Sequence, residues 1–173
     1  MSAGRFPRHA AVNDLIRRSL SSAGVPSRLE PSSLNRSDGK RPDGLSMIPW
    51  KDGRCMIWDF TCPDTLAKSH LDLAVSGAGF VATNAEGLKT KKYQSLVASY
   101  IFEPIAVETF GALGESATAF FKELGRRLAV NTGELRASQF LLQRLSVAVQ
   151  RGNAASVMGT VGSSVQLDDL FYI

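Results

Sequence analysis

Arg41-Pro42-Asp43-Gly44-Leu45-Ser46-Met47-Ile48-Pro49-Trp50-Lys51-Asp52-Gly53-Arg54-Cys55-Met56-Ile57-Trp58-Asp59-Phe60-Thr61 is the stretch on which the fold turns. Two strand-like runs, 44–50 and 54–61, flank Lys51-Asp52-Gly53, which is a β-hairpin signal. Two acids, Asp43 and Asp59, lie toward the ends of that hairpin, and register decides whether they meet. A two-residue Asp-Gly turn pairs Lys51 with Arg54 and sends the acids to opposite faces. A three-residue loop with Gly53 left-handed pairs Trp50 with Arg54. It sets Asp59 opposite Leu45 and Asp43 opposite Thr61, so both acids share a face as diagonal neighbours. The sequence permits both turns. Apolar residues on both hairpin faces (Met47 and Ile57, Ile48 and Trp58) predict a sheet covered on both sides.

Upstream, Val12, Leu15, Ile16, Leu20 and Ala23 recur at helical spacing, and Gly24 is a natural stop. Val25 to Glu30 predicts a short strand, and residues 33–44 a polar loop. Downstream, a short helix is expected over 66–75, broken by Gly77-Ala78-Gly79, then a second helix from Ala82 to Ala98. Residues 100–109 predict a strand in which Pro104 marks an edge or bulge. Ala117, Phe120, Phe121, Leu124 and Leu128 make an amphipathic helix ended by Asn131-Thr132-Gly133. Another runs from Leu135 to Val149 and on toward Met158. The order is that of an α/β domain with a mixed sheet.

The 173 residues are 44% hydrophobic and 21% charged, with net charge +4. That is ordinary for a globular domain and suits an anionic partner. The N-terminus has no apolar signal core, and no run of about 18 apolar residues exists. Neither a secretory signal nor a membrane span is therefore expected, and a nuclear or cytoplasmic protein is. Cys55 and Cys62 fit no zinc spacing and no disulfide framework. The expected organisation is a flexible N-terminus at 1–7, one domain over 8–158, and a loosely held tail at 159–173.

Hard carboxylate oxygens suit Mg²⁺, and phosphodiester cleavage needs positive charge beside the phosphate. Asp43 and Asp59 supply candidate ligands, with the Phe60 carbonyl as a third. Lys89 and Lys92, three apart on a helix, share a face that could point at them, flanked by Glu86 and Tyr93. Arg41, Lys91 and Tyr93 are candidates for nucleic-acid contact. Each residue also has an ordinary reading. Pro-Asp-Gly is a common turn, and a lysine run is usually a solvated helix face. Asp59, inside Met56-Ile57-Trp58-Asp59-Phe60, is harder to place without a partner. His9 and His70 lack metal-spaced partners and read as surface or capping residues. Glu108 reads as an edge charge. Arg126, Arg127, Arg136, Arg144 and Arg151 could line a backbone-binding surface.

Arg41-Pro42-Asp43, Asp59 at a strand end and Lys89-x-x-Lys92-Tyr93 on a helix resemble the restriction-like endonuclease domain of non-LTR retrotransposon polyproteins. That domain belongs to the PD-(D/E)xK superfamily. The segments Arg28-Leu29-Glu30-Pro31, Trp58-Asp59-Phe60-Thr61 and Gln150-Arg151-Gly152-Asn153-Ala154 are also similar to retrotransposon-derived animal proteins. The resemblance implies a restriction-endonuclease-like αβββαβ core with a mixed sheet, here followed by two C-terminal helices. It implies a metal, Mg²⁺ or Mn²⁺, on Asp43 and Asp59, and DNA as substrate. A reverse transcriptase and element RNA would be partners within a parent polyprotein. Thr61 stands where the superfamily usually has its lysine, so the resemblance assigns that role to Lys89 or Lys92. Asp14 or Glu30 would be the acid of the first helix. The expected function is metal-dependent nicking of DNA, and the alternative is an inactive nucleic-acid-binding or interaction module of the same fold.

Overall fold

Residues 5–34 and 41–160 are described by a computed structural model of the chain. Its elements are α1 (Arg5–Ser22), β1 (Ser27–Leu29), β2 (Gly44–Ser46), β3 (Met56–Thr61), α2 (Leu71–Ser76), α3 (Phe80–Lys92), β4 (Ile101–Ala106), α4 (Glu115–Thr132) and α5 (Ala137–Met158). The strands form one sheet in the order β1-β2-β3-β4. The first three are antiparallel to their neighbours, and β4 runs parallel to β3. The fold is therefore α/β with a mixed four-stranded sheet. Helix α1 begins at Arg5, inside the segment expected to be a flexible N-terminus, with Pro7 tolerated in the first turn. The expected tail lies almost wholly outside the described residues.

Alternation along β3 sorts the layers. Met56, Trp58 and Phe60 join Val12, Ile16 and Leu20 of α1, Phe121 and Leu124 of α4, and Leu141, Leu145 and Val149 of α5 in one core. Ile57 and Asp59 point to the other face, where α3 lies against the sheet. Both faces are covered, as expected, but Met47 and Ile48 take no part. They are exposed and belong to an irregular segment rather than a strand.

That segment settles the register. Asp52 and Gly53 are both left-handed, at φ 51° and 70°, and Lys51 pairs with Arg54, so the turn is the two-residue one. Such a turn was expected to separate the acids. It does not, because the strands are unequal: six residues lead from Lys51 back to Leu45, but only three from Arg54 on to its partner Ile57. The excess is a bulge over residues 47–50, held by Ser46, whose hydroxyl accepts from Met56 N–H and donates to the Ile48 carbonyl, both at 2.8 Å. An odd excess reverses the face. Gly44 then pairs with Trp58, and Asp43, just before it, is bound to the next residues of β3, its N–H donating to the Trp58 carbonyl and its Oδ2 accepting from Phe60 N–H.

Gly44 is required there, because a Cβ at this position would fall inside the Trp58 ring. Pro104 sits on β4, an edge strand, opposite Asp59 in the parallel ladder. Glu86 ties α3 to α4: its carboxylate accepts the amides of Ser116 and Ala117 in the first turn of α4, both at 2.9 Å, and that of Ala106 at 3.3 Å. Burial pushes the Glu86 carboxyl upward, and those amides hold it back.

Gly44→Val is expected to lower stability by about 1–3 kcal/mol in urea unfolding, the cost of overpacking a filled site. A change below roughly 0.5 kcal/mol, the size of an ordinary surface substitution, would contradict the packing of Trp58 across β2.

Candidate functional site

Asp59 is 3% exposed, on the α3 face of β3. A buried carboxylate needs a counter-charge or hydrogen bonds. Helix α3 supplies both from one face: Lys89 Nζ meets Oδ1, and Lys92 Nζ lies 3.4 Å from Oδ2. The three-residue spacing on the helix makes this possible. Lys92 also donates to the Tyr93 hydroxyl at 2.8 Å, and Tyr93 donates to the Arg41 carbonyl at 2.8 Å. The end of α3 thus grips Asp59 and the chain entering Asp43 together.

Asp43 is held by every polar group it has on the main chain. Its N–H donates to the Trp58 carbonyl and its carbonyl accepts from Glu30 N–H, at 2.9 and 2.8 Å. Its Oδ2 accepts from Phe60 N–H at 2.6 Å and lies 3.1 Å from His9 Nε2. In a strand the N–H and C=O of one residue point to the same edge. The Phe60 carbonyl therefore projects to the side on which its amide meets Asp43, beyond the end of β2.

His9, read from sequence as a surface or capping residue, belongs to this site. Trp58 Nε1, which can only donate, gives its hydrogen to Asn13 Oδ1 at 2.9 Å. That leaves Asn13 Nδ2 to face His9 Nδ1 at 3.2 Å. A neutral His9 then carries its hydrogen on Nε2, toward Asp43. The Asp43 hydrogen bond raises the His9 pKa above the ordinary value; burial opposes this, while the charges of Asp43 and Asp59 add to it and Lys89 subtracts. His9 thus senses both carboxylates and the lysine. One sequence signal could have found it: His9 and Asn13 are one helical turn apart on the face that carries Val12 and Ile16.

Other expected residues fall elsewhere. Tyr93 is fully buried, so its role is to hold α3 to the Arg41 segment rather than to meet nucleic acid. Arg41 pairs with Glu30, and Lys91 is exposed on α3. Asp14 is paired with Arg17 and Arg18 at 2.7 and 2.8 Å, on the outer side of α1, so neither Asp14 nor Glu30 joins the two acids. Glu108 is not an edge charge. It is buried, accepting from Thr65 Oγ1 at 3.2 Å and from Ala82 N–H at 3.3 Å. Arg126 and Arg127 pair with Glu123, and Arg127 stacks on Trp50 at 3.7 Å. These two arginines are therefore not a free backbone-binding row. Cys55 and Cys62 are free thiols.

The oxygens that could take a divalent cation are those of Asp43 and Asp59 with the Phe60 carbonyl, all hard donors. Among the described residues no three His, Cys, Asp or Glu side chains gather into a ligand set. The donors fit Mg²⁺ in kind, on the condition that Lys89 and Lys92 yield oxygens of Asp59. A cleft of about 720 Å³ opens beside them, with His9, Phe60 and Lys89 in its wall.

The His9 imidazole is expected to titrate above its ordinary value of 6.5 in NMR, and Asp43→Asn to lower it. By linkage, the His9–Asp43 contact stabilises the fold at acidic pH, below the unfolded histidine pKa. That contribution is lost as pH rises through the raised value. An unchanged His9 titration in Asp43→Asn would remove His9 from the site.

No protein-family model matches the chain, and no curated protein matches it.

Proposed function

We propose that the chain is a metal-dependent DNA endonuclease domain that hydrolyses one phosphodiester bond, a nickase of the restriction-like type. The observation that carries this is the buried Asp59, gripped by Lys89 and Lys92, with Asp43 anchored on the neighbouring Phe60 amide and a cleft opening past His9, Phe60 and Lys89. The element order supports it as well. Helix α1, the three antiparallel-linked strands, α3 and the parallel β4 run in the αβββαβ order of the resembled superfamily. Helices α4 and α5 follow. The net charge of +4 suits a polyanion.

In this reading Asp43, Asp59 and the Phe60 carbonyl hold Mg²⁺ or Mn²⁺. A bound divalent ion supplies Lewis acidity at a phosphoryl oxygen and a more acidic water. The chain's own groups do the rest. Lys89 and Lys92, on release of Asp59, carry ammonium groups beside the scissile phosphate and answer the charge that grows there. They occupy the role left by Thr61. His9 keeps Asp43 oriented through its Nε2 hydrogen, and Tyr93 fixes the distance between α3 and the Asp43 segment. Arg41 and Lys91 lie outside this centre, where backbone phosphates would pass. A reverse transcriptase and element RNA would be its neighbours in a parent polyprotein.

One observation favours the alternative of an inactive binding module. Both oxygens of Asp59 already have an ammonium partner, so the buried charge is answered without a metal ion.

Supercoiled plasmid incubated with Mg²⁺ is expected to yield nicked circles, and none with chelator. Asp59→Asn should reduce nicking to background with the fold intact by circular dichroism, and Lys89→Ala should slow it about a hundredfold. Undiminished nicking by Asp59→Asn would refute the assignment. A folded wild-type protein that binds DNA and never nicks it would establish the binding module instead.

A further inference from the structure

The cleft runs away from the two acids, between the first turns of α1, the end of α5 and the loop after β4. Its volume is about 720 Å³, within the range of ligand clefts. Arg5, Arg8, His9, His70 and Lys89 line it, against Asp64 as the acid among its described residues.

Arg8 is the group the centre does not explain. It is 8% exposed, yet its Nη1 donates only to the neutral Asn153 Oδ1, at 2.6 Å. No carboxylate pairs with it among the described residues. A guanidinium cannot shed its proton, and buried charges are normally paired. The placement is also built in. The Arg8 stem crosses α5 at Gly152, where any Cβ would overlap its Cβ, Cγ and Cδ. Asn153 in turn donates to the Thr109 carbonyl at 2.6 Å, so α5 and the loop after β4 hold the guanidinium in the cleft wall. A cation fixed this way, with no counter-ion among the described residues, is suited to an anion from outside. Beside it on the wall stands Phe110, 67% exposed, next to Gly111 in a left-handed turn at φ 93°. A cationic groove with an exposed aromatic is the arrangement that binds single strands, phosphate on the cation and base on the ring.

We propose that this cleft binds an unpaired DNA strand, with a backbone phosphate on Arg8 and a base stacked on Phe110. The choice of DNA rests on the nuclease reading; the phosphate and the stacked base rest on the cleft itself. A paired base has no free face for Phe110, so the cleft favours single strand over duplex. A strand anchored there would pass His9 and Lys89 on its way to Asp43 and Asp59.

Fluorescence anisotropy with a labelled single-stranded oligonucleotide, and with the same sequence as a blunt duplex, tests this in chelator, where binding is read without cleavage. The single strand should bind more tightly. Phe110→Ala, at an exposed position that leaves the fold alone, should weaken it about tenfold while duplex binding stays unchanged. Arg8→Met should weaken it too and lower the salt slope by about one. The same substitution should raise the melting temperature of the free protein, because it removes an unanswered buried charge. A purely structural Arg8 would give a lower melting temperature. Equal affinity for both nucleic acids, or a Phe110→Ala protein that binds like wild type, overturns the proposal. Since no cutting is measured, a protein that never nicks leaves these outcomes readable, and a nickase that fails them remains a nickase.

Discussion

The charge on Asp59 is buried in β3, and the ammonium groups that pair with it among the described residues both come from α3. Two ammonium groups reach it from one helical face, and the same helix end sends Tyr93 to the Arg41 carbonyl. This contact sets where α3 lies along the sheet. The position of α3 in turn fixes Glu86, and Glu86 receives the first turn of α4 through backbone amides. Breaking a buried ion pair from one side leaves the other charge exposed to a poor environment, at a cost of about 3–5 kcal/mol. The site and the packing of the α3 layer therefore share one interaction, and a substitution chosen to disable the first also strains the second.

Asp43 reaches the same place by backbone geometry rather than by charge. Its neighbours are the Phe60 amide, the Trp58 carbonyl and the Glu30 amide. It meets β3 at Trp58 and Phe60, on either side of Asp59, because residues 47–50 bulge out of the hairpin. A regular two-residue hairpin of this sequence would have put a sheet between the acids. Bulges next to functional sites commonly re-aim a side chain in this way.

Helices α1 and α4 were legible in the sequence because they bury one face, which the apolar spacing marks in each of them. Strand β3 was legible as an apolar run, and Pro104 correctly marked an edge. The register was not legible. The Asp-Gly turn was visible, but nothing in Met47-Ile48-Pro49-Trp50 announces a three-residue excess over the partner strand. Pairing patterns assume equal strands, and that assumption failed here. His9 was missed because a histidine has no spacing rule when its partner, Asp43, is 34 residues away in sequence. Glu108 was read as an edge charge, and Glu86 only as a neighbour of the lysine face, because residue type does not reveal which backbone amides a fold leaves unpaired. Tyr93 was placed correctly beside the lysines, but its hydroxyl turned inward. Gly152 and Asn153 stood out as sequence without a role; their contacts with Arg8 give them one.

The central claim is that Asp43, Asp59 and the Phe60 carbonyl form a single cation centre. Paramagnetic relaxation by Mn²⁺ in a ¹H–¹⁵N spectrum tests it without any substrate. Selective broadening of the amides of Gly44, Phe60 and Thr61, removed by Asp59→Asn, is the result expected. Broadening confined to surface acids such as Asp14 and Glu123, with β3 untouched, would contradict it.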